Sequence, residues 1–341
     1  MNLGIDCGAS TVKLALMEKD RLVFSWKRKH CGQPLRCAAE ALKESAHILP
    51  KSFGLALTGC CAHSLLPLLP GAAFCEEIPS IIAGSRLLAP DAGSIIEIGS
   101  QSSRFITDLH KVPQFSVNEH CAGGTGSFFE DQMSRLNLSI EDYSALAEQA
   151  AGIPRLSGRC SVFAKTDIIH RQQEGVSTPD ILLGLCYAMI RNYKAVIVRT
   201  LPIQTPVLFC GGVTQNAGVI RAIPDVFHLN PEELIVPSEA CFESAIGAAL
   251  NASGDFSALQ IVQLLSSAAQ KKRSTRLCVF HCQFRTVFVR SRLWRPAFFR
   301  RTDAHLELIS ALPAQILFLS DAMAHLSITS TCAHPGIRKP P

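Results

Sequence analysis

Three short stretches of this chain carry residue types and spacings suited to holding a phosphorylated ligand, and two more set a cysteine just ahead of a helical pattern. The first is Gly4-Ile5-Asp6-Cys7-Gly8-Ala9-Ser10-Thr11-Val12-Lys13. Gly8 and the small residues after it let backbone N–H groups approach phosphate oxygens, and Asp6 is the kind of acid that holds a hydrated Mg²⁺, which keeps several waters and takes few carboxylates. It is not the GxxxxGK[ST] phosphate loop, because that spacing is missing and a strand pattern follows. The second stretch, Ile95-Ile96-Glu97-Ile98-Gly99-Ser100-Gln101-Ser102-Ser103, repeats the order acid, glycine, small polar residues. Two such turns facing each other grip phosphates from both sides. The third, Leu208-Phe209-Cys210-Gly211-Gly212-Val213-Thr214-Gln215-Asn216, ends an apolar run in a glycine pair, where backbone can come close to a flat base. Taken singly, each also reads as an ordinary hairpin or strand-to-helix turn.

The cysteine-bearing stretches are Asn118-Glu119-His120-Cys121-Ala122-Gly123-Gly124-Thr125-Gly126-Ser127-Phe128-Phe129-Glu130 and Gly158-Arg159-Cys160-Ser161-Val162-Phe163-Ala164-Lys165-Thr166-Asp167. A helix start favours a thiolate and any anion bound beside it. The chain has 14 cysteines, scattered and without a secretory leader, which reads as reduced thiols plus a few ligands. Cys7, Cys60, Cys61, Cys186 and Cys210 lie in apolar or strand contexts and are expected in the core. Cys278-Val279-Phe280-His281-Cys282 has no second pair to complete a metal site.

Elements must position these residues. Alternation predicts strands over 2–5, 11–17 and 21–25, a helix over 35–49 and a strand over 54–57. The theme restarts with strands over 95–98 and 104–107. Three-to-four spacing predicts helices over 128–136, 140–150, 164–173 and 178–199, and then come a buried strand over 207–209 and a small-residue helix over 243–252. The expected division is a first lobe over 1–90, a second over 91–240, a helix over 241–254 returning to the first lobe, and an atypical basic tail over 255–341. Charge separates the tail from the rest: residues 1–254 carry 21 Lys and Arg against 24 Asp and Glu, the tail 12 against 4. With a net negative body, nucleic acid is not an expected partner. No apolar run reads as long enough to span a bilayer and the first residues enter a strand pattern directly, so no membrane association and a cytoplasmic location are expected.

The order of the three phosphate-type stretches resembles the actin-like ATPase superfamily, an α/β, ribonuclease H-like fold of two duplicated lobes with a nucleotide cleft between them. The two cysteine stretches narrow the resemblance to the activator ATPases of 2-hydroxyacyl-CoA dehydratases and the ATPase subunits of benzoyl-CoA reductases, over residues 2 to 252. The resemblance implies ATP and ADP as ligands with Mg²⁺, and a [4Fe-4S] cluster shared by a homodimer. Cys121 and Cys160 of each copy are the implied ligands, since two cysteines per chain make half of the usual four. It implies that Asp6 and Glu97 organise Mg²⁺ and water, that Gln101, Ser10, Thr11 and Lys13 contact phosphates beside Gly8 and Gly99, and that Gly211, Gly212 and Asn216 bound the adenosine pocket. A ferredoxin or flavodoxin is the implied electron donor, and a dehydratase or reductase the recipient.

One departure bears on rate. The family's second phosphate motif reads Asp-Ile-Gly-Gly-Gln-Asp-Ser-Lys, whereas this chain has Glu97-Ile98-Gly99-Ser100-Gln101-Ser102-Ser103-Arg104. A longer acid, an added β-carbon and a lost charge bear on hydrolysis more than on binding. The rival expectations are a small-molecule kinase of the same superfamily, which lacks the cysteine stretches, and a non-catalytic nucleotide-binding module.

Overall fold

Strand β1 (Asn2–Cys7) lies between β2 (Thr11–Glu18), antiparallel to it, and β4 (Phe53–Thr58), parallel to it. A strand paired on both edges and covered on both faces is mostly apolar or small, and a charged residue in it needs a partner. Leu3, Ile5 and Cys7 accordingly pack with Leu14, Leu42 and Leu55 under helix α1 (Pro34–Ser45). Each such fully buried aliphatic side chain contributes about 1.5–3 kcal/mol. The opposite face presents Gly4 and Asp6, with Lys13, Ala15 and Met17 of β2. Strand β3 (Arg21–Lys29) follows antiparallel, and β11 (Ser253–Phe256) closes the far edge on β4, giving the order β11-β4-β1-β2-β3, with β5 (Ala73–Phe74) also pairing β4. The computed structural model describes residues 1–118, 123–157 and 161–270.

The second sheet repeats this order as β10-β9-β6-β7-β8, from β6 (Ser94–Ile98), β7 (Ser103–Thr107), β8 (Gln114–Asn118), β9 (Val207–Cys210) and β10 (Leu234–Ile235). Again the first strand has an antiparallel hairpin partner on one side and a parallel strand on the other. On one face, Ile96, Ile98 and Phe105 pack against α3 (Gly126–Arg135), α4 (Tyr143–Glu148), α6 (Thr178–Tyr193) and α7 (Ala217–Phe227). Helix α5 (Ser161–Gln173) joins this layer through Ala164 and Ile168.

The inner faces are covered by exchange. Helix α2 (Glu77–Leu88), which follows the first sheet, packs Ile81 against Ile95, Ile106 and Leu208 of the second. Helix α8 (Glu243–Ala249), which follows the second sheet, packs Ala245, Ile246 and Ala249 on Ala15 and Met17 of the first. The approach is close enough to require glycine. A β-carbon on Gly4 meets the Ala245 carbonyl at 1.9 Å, one on Gly84 meets the Glu243 carbonyl at 1.9 Å, and one on Gly247 meets the Ser80 carbonyl at 1.8 Å.

Two findings modify the sequence reading. Packed chain extends past residue 254: Phe256, Ile261 and Leu265 are buried in the first sheet's core, and Met1–Ala269 form one unit. The absence of an apolar stretch of spanning length does not hold either. Thr178–Val198 is apolar and long enough by composition, yet 72% of its apolar window is buried inside the fold, because it is the central helix of the second lobe's core.

Candidate nucleotide site

The two hairpins place their acids in matching positions. In the first, Asp6 lies directly opposite Lys13, whose Nζ donates to Asp6 Oδ2 at 3.1 Å, and the turn closes with Gly8 N donating to the Thr11 carbonyl at 3.0 Å. In the second, Glu97 lies directly opposite Arg104, Nη1 donates to Glu97 Oε2 at 3.0 Å, and Gly99 N donates to the Ser102 carbonyl at 2.9 Å. Arg104 also donates through Nη2 to Glu77, at the start of α2, and through Nη1 to Ser102 Oγ at 3.1 Å. The two turns meet tip to tip, with Ser100 Oγ donating to Ser10 Oγ at 2.8 Å.

Below them lies a cavity of about 460 Å³, within the size range of small-molecule sites. Its polar floor holds Asp6, Lys13, Glu97, Arg104 and Glu243, all buried. Its other end is built from Phe129, Ile140, Tyr143 and Val213, an apolar surface suited to a flat ring. Lys27 on β3 reaches across the mouth to Gln215, Nζ to Oε1, at 2.7 Å.

Burial governs the charges. It pushes the Glu97 carboxyl up to about 7 against the opposing pull of Arg104. It likewise raises Glu243, with Lys13 working in the other direction. Burial alone disfavours the charge on Lys13, but the Asp6 and Glu243 carboxylates outweigh it and hold the ammonium above its ordinary range.

Of the residues expected to act here, Asp6, Gly8, Ser10, Thr11, Lys13, Glu97, Gly99, Gln101, Gly212 and Asn216 all line the cavity. Gly211 stands behind the wall. Its φ of 95° and the 2.5 Å gap from a β-carbon to the Ile98 carbonyl show that glycine is needed there for packing on the second sheet. Asn216 also accepts from Val219 N at 3.2 Å, capping α7. Cys60 is not the core residue expected: it is exposed in the turn after β4 and borders the cavity. Cys121 and Cys160 lie outside the described residues. Among the described residues, no group of three or more His, Cys, Asp or Glu is placed to hold a metal ion directly.

Sequence reasoning assigned no role to Glu243, Glu77 or Arg104. Arg104 was readable, because Glu97 to Arg104 repeats the seven-residue step from Asp6 to Lys13. Glu77 and Glu243 share only their place at the start of a helix that crosses to the other sheet.

Residues 3–252 match the BadF/BadG/BcrA/BcrD ATPase family. The chain belongs to this family. Among its relatives is the activator of lactoyl-CoA dehydratase from Anaerotignum propionicum, 28% identical over 253 residues, covering 73% of this chain and 96% of that protein. The crystal structure of component A of the Acidaminococcus fermentans (R)-2-hydroxyglutaryl-CoA dehydratase matches at a TM-score of 0.65 and 25% identity, over 74% of this chain and 96% of that one. The activator of the Clostridium difficile 2-hydroxyisocaproyl-CoA dehydratase, with bound ADPNP, also matches at 0.65, with 20% identity over 79% of this chain and 97% of that one. The α/β fold is thus the actin-like one of this ATPase family.

Proposed function

We propose that this family member is an ATP-dependent activator that passes low-potential electrons from a ferredoxin or flavodoxin to a 2-hydroxyacyl-CoA dehydratase-type or benzoyl-CoA reductase-type partner. The observation that carries the reading is the pair of acid–glycine hairpins, joined at Ser10 and Ser100, over a cavity whose wall leads directly into α3. Asp6 and Glu97 would hold the hydrated Mg²⁺, and the buried acids beside them fit a cation. When bound, that cation neutralises charge developing on the transferred phosphoryl group. Ser10, Thr11, Lys13 and Gln101, with backbone N–H groups at Gly8 and Gly99, face the phosphates, and Gly212 and Asn216 stand at the adenosine end.

Cys121 and Cys160 each precede a helix, α3 and α5 respectively, and two copies of the chain together offer four thiolates. A [4Fe-4S] cluster on them supplies one-electron transfer. On α5, Phe163 is 68% exposed three residues beyond Cys160, apolar surface suited to a second copy. Nucleotide acts on transfer only if the donating arrangement binds it differently from the resting one. The start of α3 supports this reading. The helix begins at Gly126, whose N–H donates to the Gly99 carbonyl at 2.8 Å, so the turn of the second hairpin is hydrogen-bonded to the first residue of α3.

The test is anaerobic purification with iron and sulfide analysis of the wild type, Cys121→Ala and Cys160→Ala. About four irons per dimer, lost in both variants, is the expected result. A colourless wild type that still binds ATP overturns the electron-transfer reading.

A further inference from the structure

The two halves of the cavity floor are built alike but balanced differently. In the second half, the carboxylate at the start of α2, Glu77, and the hairpin acid Glu97 are both hydrogen-bonded by Arg104. In the first half, the corresponding helix-start carboxylate is Glu243, and the hairpin cation Lys13 is hydrogen-bonded to Asp6. Glu243 is 1% exposed; Oε1 takes a hydrogen bond from Ser244 Oγ at 3.2 Å, while Oε2 has no partner. A carboxylate buried with an open oxygen is costly, and it is kept here on a rigid mount. Gly4 pins α8 to the strand that carries Asp6, and Gly84 pins it to the helix that carries Glu77.

We infer that Glu243 is a further carboxylate of the cation site, its open oxygen accepting hydrogen bonds from the waters of the divalent cation that accompanies the nucleotide. This rests on the ATPase reading above. With a cation there, Asp6 and Glu243 would be its neighbours, and Lys13, now hydrogen-bonded to Asp6, would be free to face phosphate. Arg104, gripped by two acids, stays in place. The first half would then complete the cation's site, and the second half, with Arg104 held by Glu97 and Glu77, would form its fixed wall.

The experiment uses the full chain and reads binding rather than turnover. ADPNP affinity is measured by calorimetry in EDTA, and Mn²⁺ affinity in the ADPNP complex by electron paramagnetic resonance, for wild type, Glu243→Gln and Glu243→Asp. The expected result is a metal-free ADPNP affinity within about twofold in all three, with Mn²⁺ bound about tenfold or more weakly by E243Q, the size typical of losing an outer-shell partner. E243D should fall between. Apo E243Q should melt close to wild type, because the lost attraction to Lys13 is offset by removing a buried carboxylate oxygen that has no hydrogen bond. Unchanged Mn²⁺ affinity in E243Q overturns the inference. So does a lower melting temperature with equal loss of metal-free ADPNP binding, which marks a purely structural residue. A wild type that binds no ADPNP instead sinks the ATPase reading on which the inference stands.

Discussion

Lys13 and Arg104 occupy the same position in two copies of one hairpin, yet they serve different ends. Arg104 has a planar fork and uses it to hold Glu97 and Glu77 at once, and Tyr193 donates its hydroxyl to the Arg104 carbonyl at 2.6 Å. Lys13 is a point charge on a flexible stem, with one carboxylate at hydrogen-bond distance. The fork favours a fixed wall and the stem favours a cation that can change partners. The repeated hairpin offers two equivalent places, and the choice between lysine and arginine gives one a single contact on a flexible stem and the other a fork held by two acids.

The sharpest way to break this comparison is to remove each cation in turn. Arg104→Met should cost about 3–5 kcal/mol of stability, since it strands a fully buried carboxylate, and thermal unfolding should register a drop of about 10 °C. Lys13→Met should cost less stability and lose more ADPNP affinity. Equal melting temperatures for the two variants would abolish the distinction.

A smaller effect separates the acids. The Glu97 carboxyl is raised from the ordinary 4.5 to about 7, so between those values the folded chain keeps a proton that the unfolded chain has released. Its contribution to stability is therefore fully present below about pH 4.5 and is lost as the pH rises to about 7. Melting curves of the apoprotein should show that decline, and Glu97→Gln should flatten it. An equally steep decline in E97Q would place the titrating group elsewhere.

The smallest effect concerns the contact between the halves. Ser100→Gly removes the donor to Ser10 and restores the residue usual in the family pattern. It should cost about 1 kcal/mol or less and change the Michaelis constant for ATP by less than about fivefold. A larger change would mean that the two turns are held together mainly at their tips.

The hairpins, their acids and the seven-residue step to a cation were legible because each is local: strand, turn and strand lie within 17 residues (2–18) in the first and 14 (94–107) in the second, and obey a period of two. The long helix over 178–193 was legible from its spacing. Glu243 was not, because its role comes from α8 crossing back over the first sheet, and the contacts that fix it are carbonyl-to-glycine approaches with no hydrophobic period of their own. Cys60 was misread for a related reason: it follows the apolar strand β4, but the turn after that strand faces the cavity. Composition changes near residue 255, yet Phe256, Ile261 and Leu265 still fit the first core, because a few well-spaced apolar side chains suffice to dock a segment.

The exchange of helices between sheets also sets a schedule for synthesis. Strands β1 to β4 leave the ribosome long before α8 and β11, and at about 5–20 residues per second the wait is about 10 to 40 s. Through that interval the face of the first sheet that bears Gly4 and Met17 lacks α8, and the β4 edge lacks its closing strand. The step that completes the first sheet is the docking of α8, whose close approaches at Gly4, Gly84 and Gly247 join segments far apart in the chain.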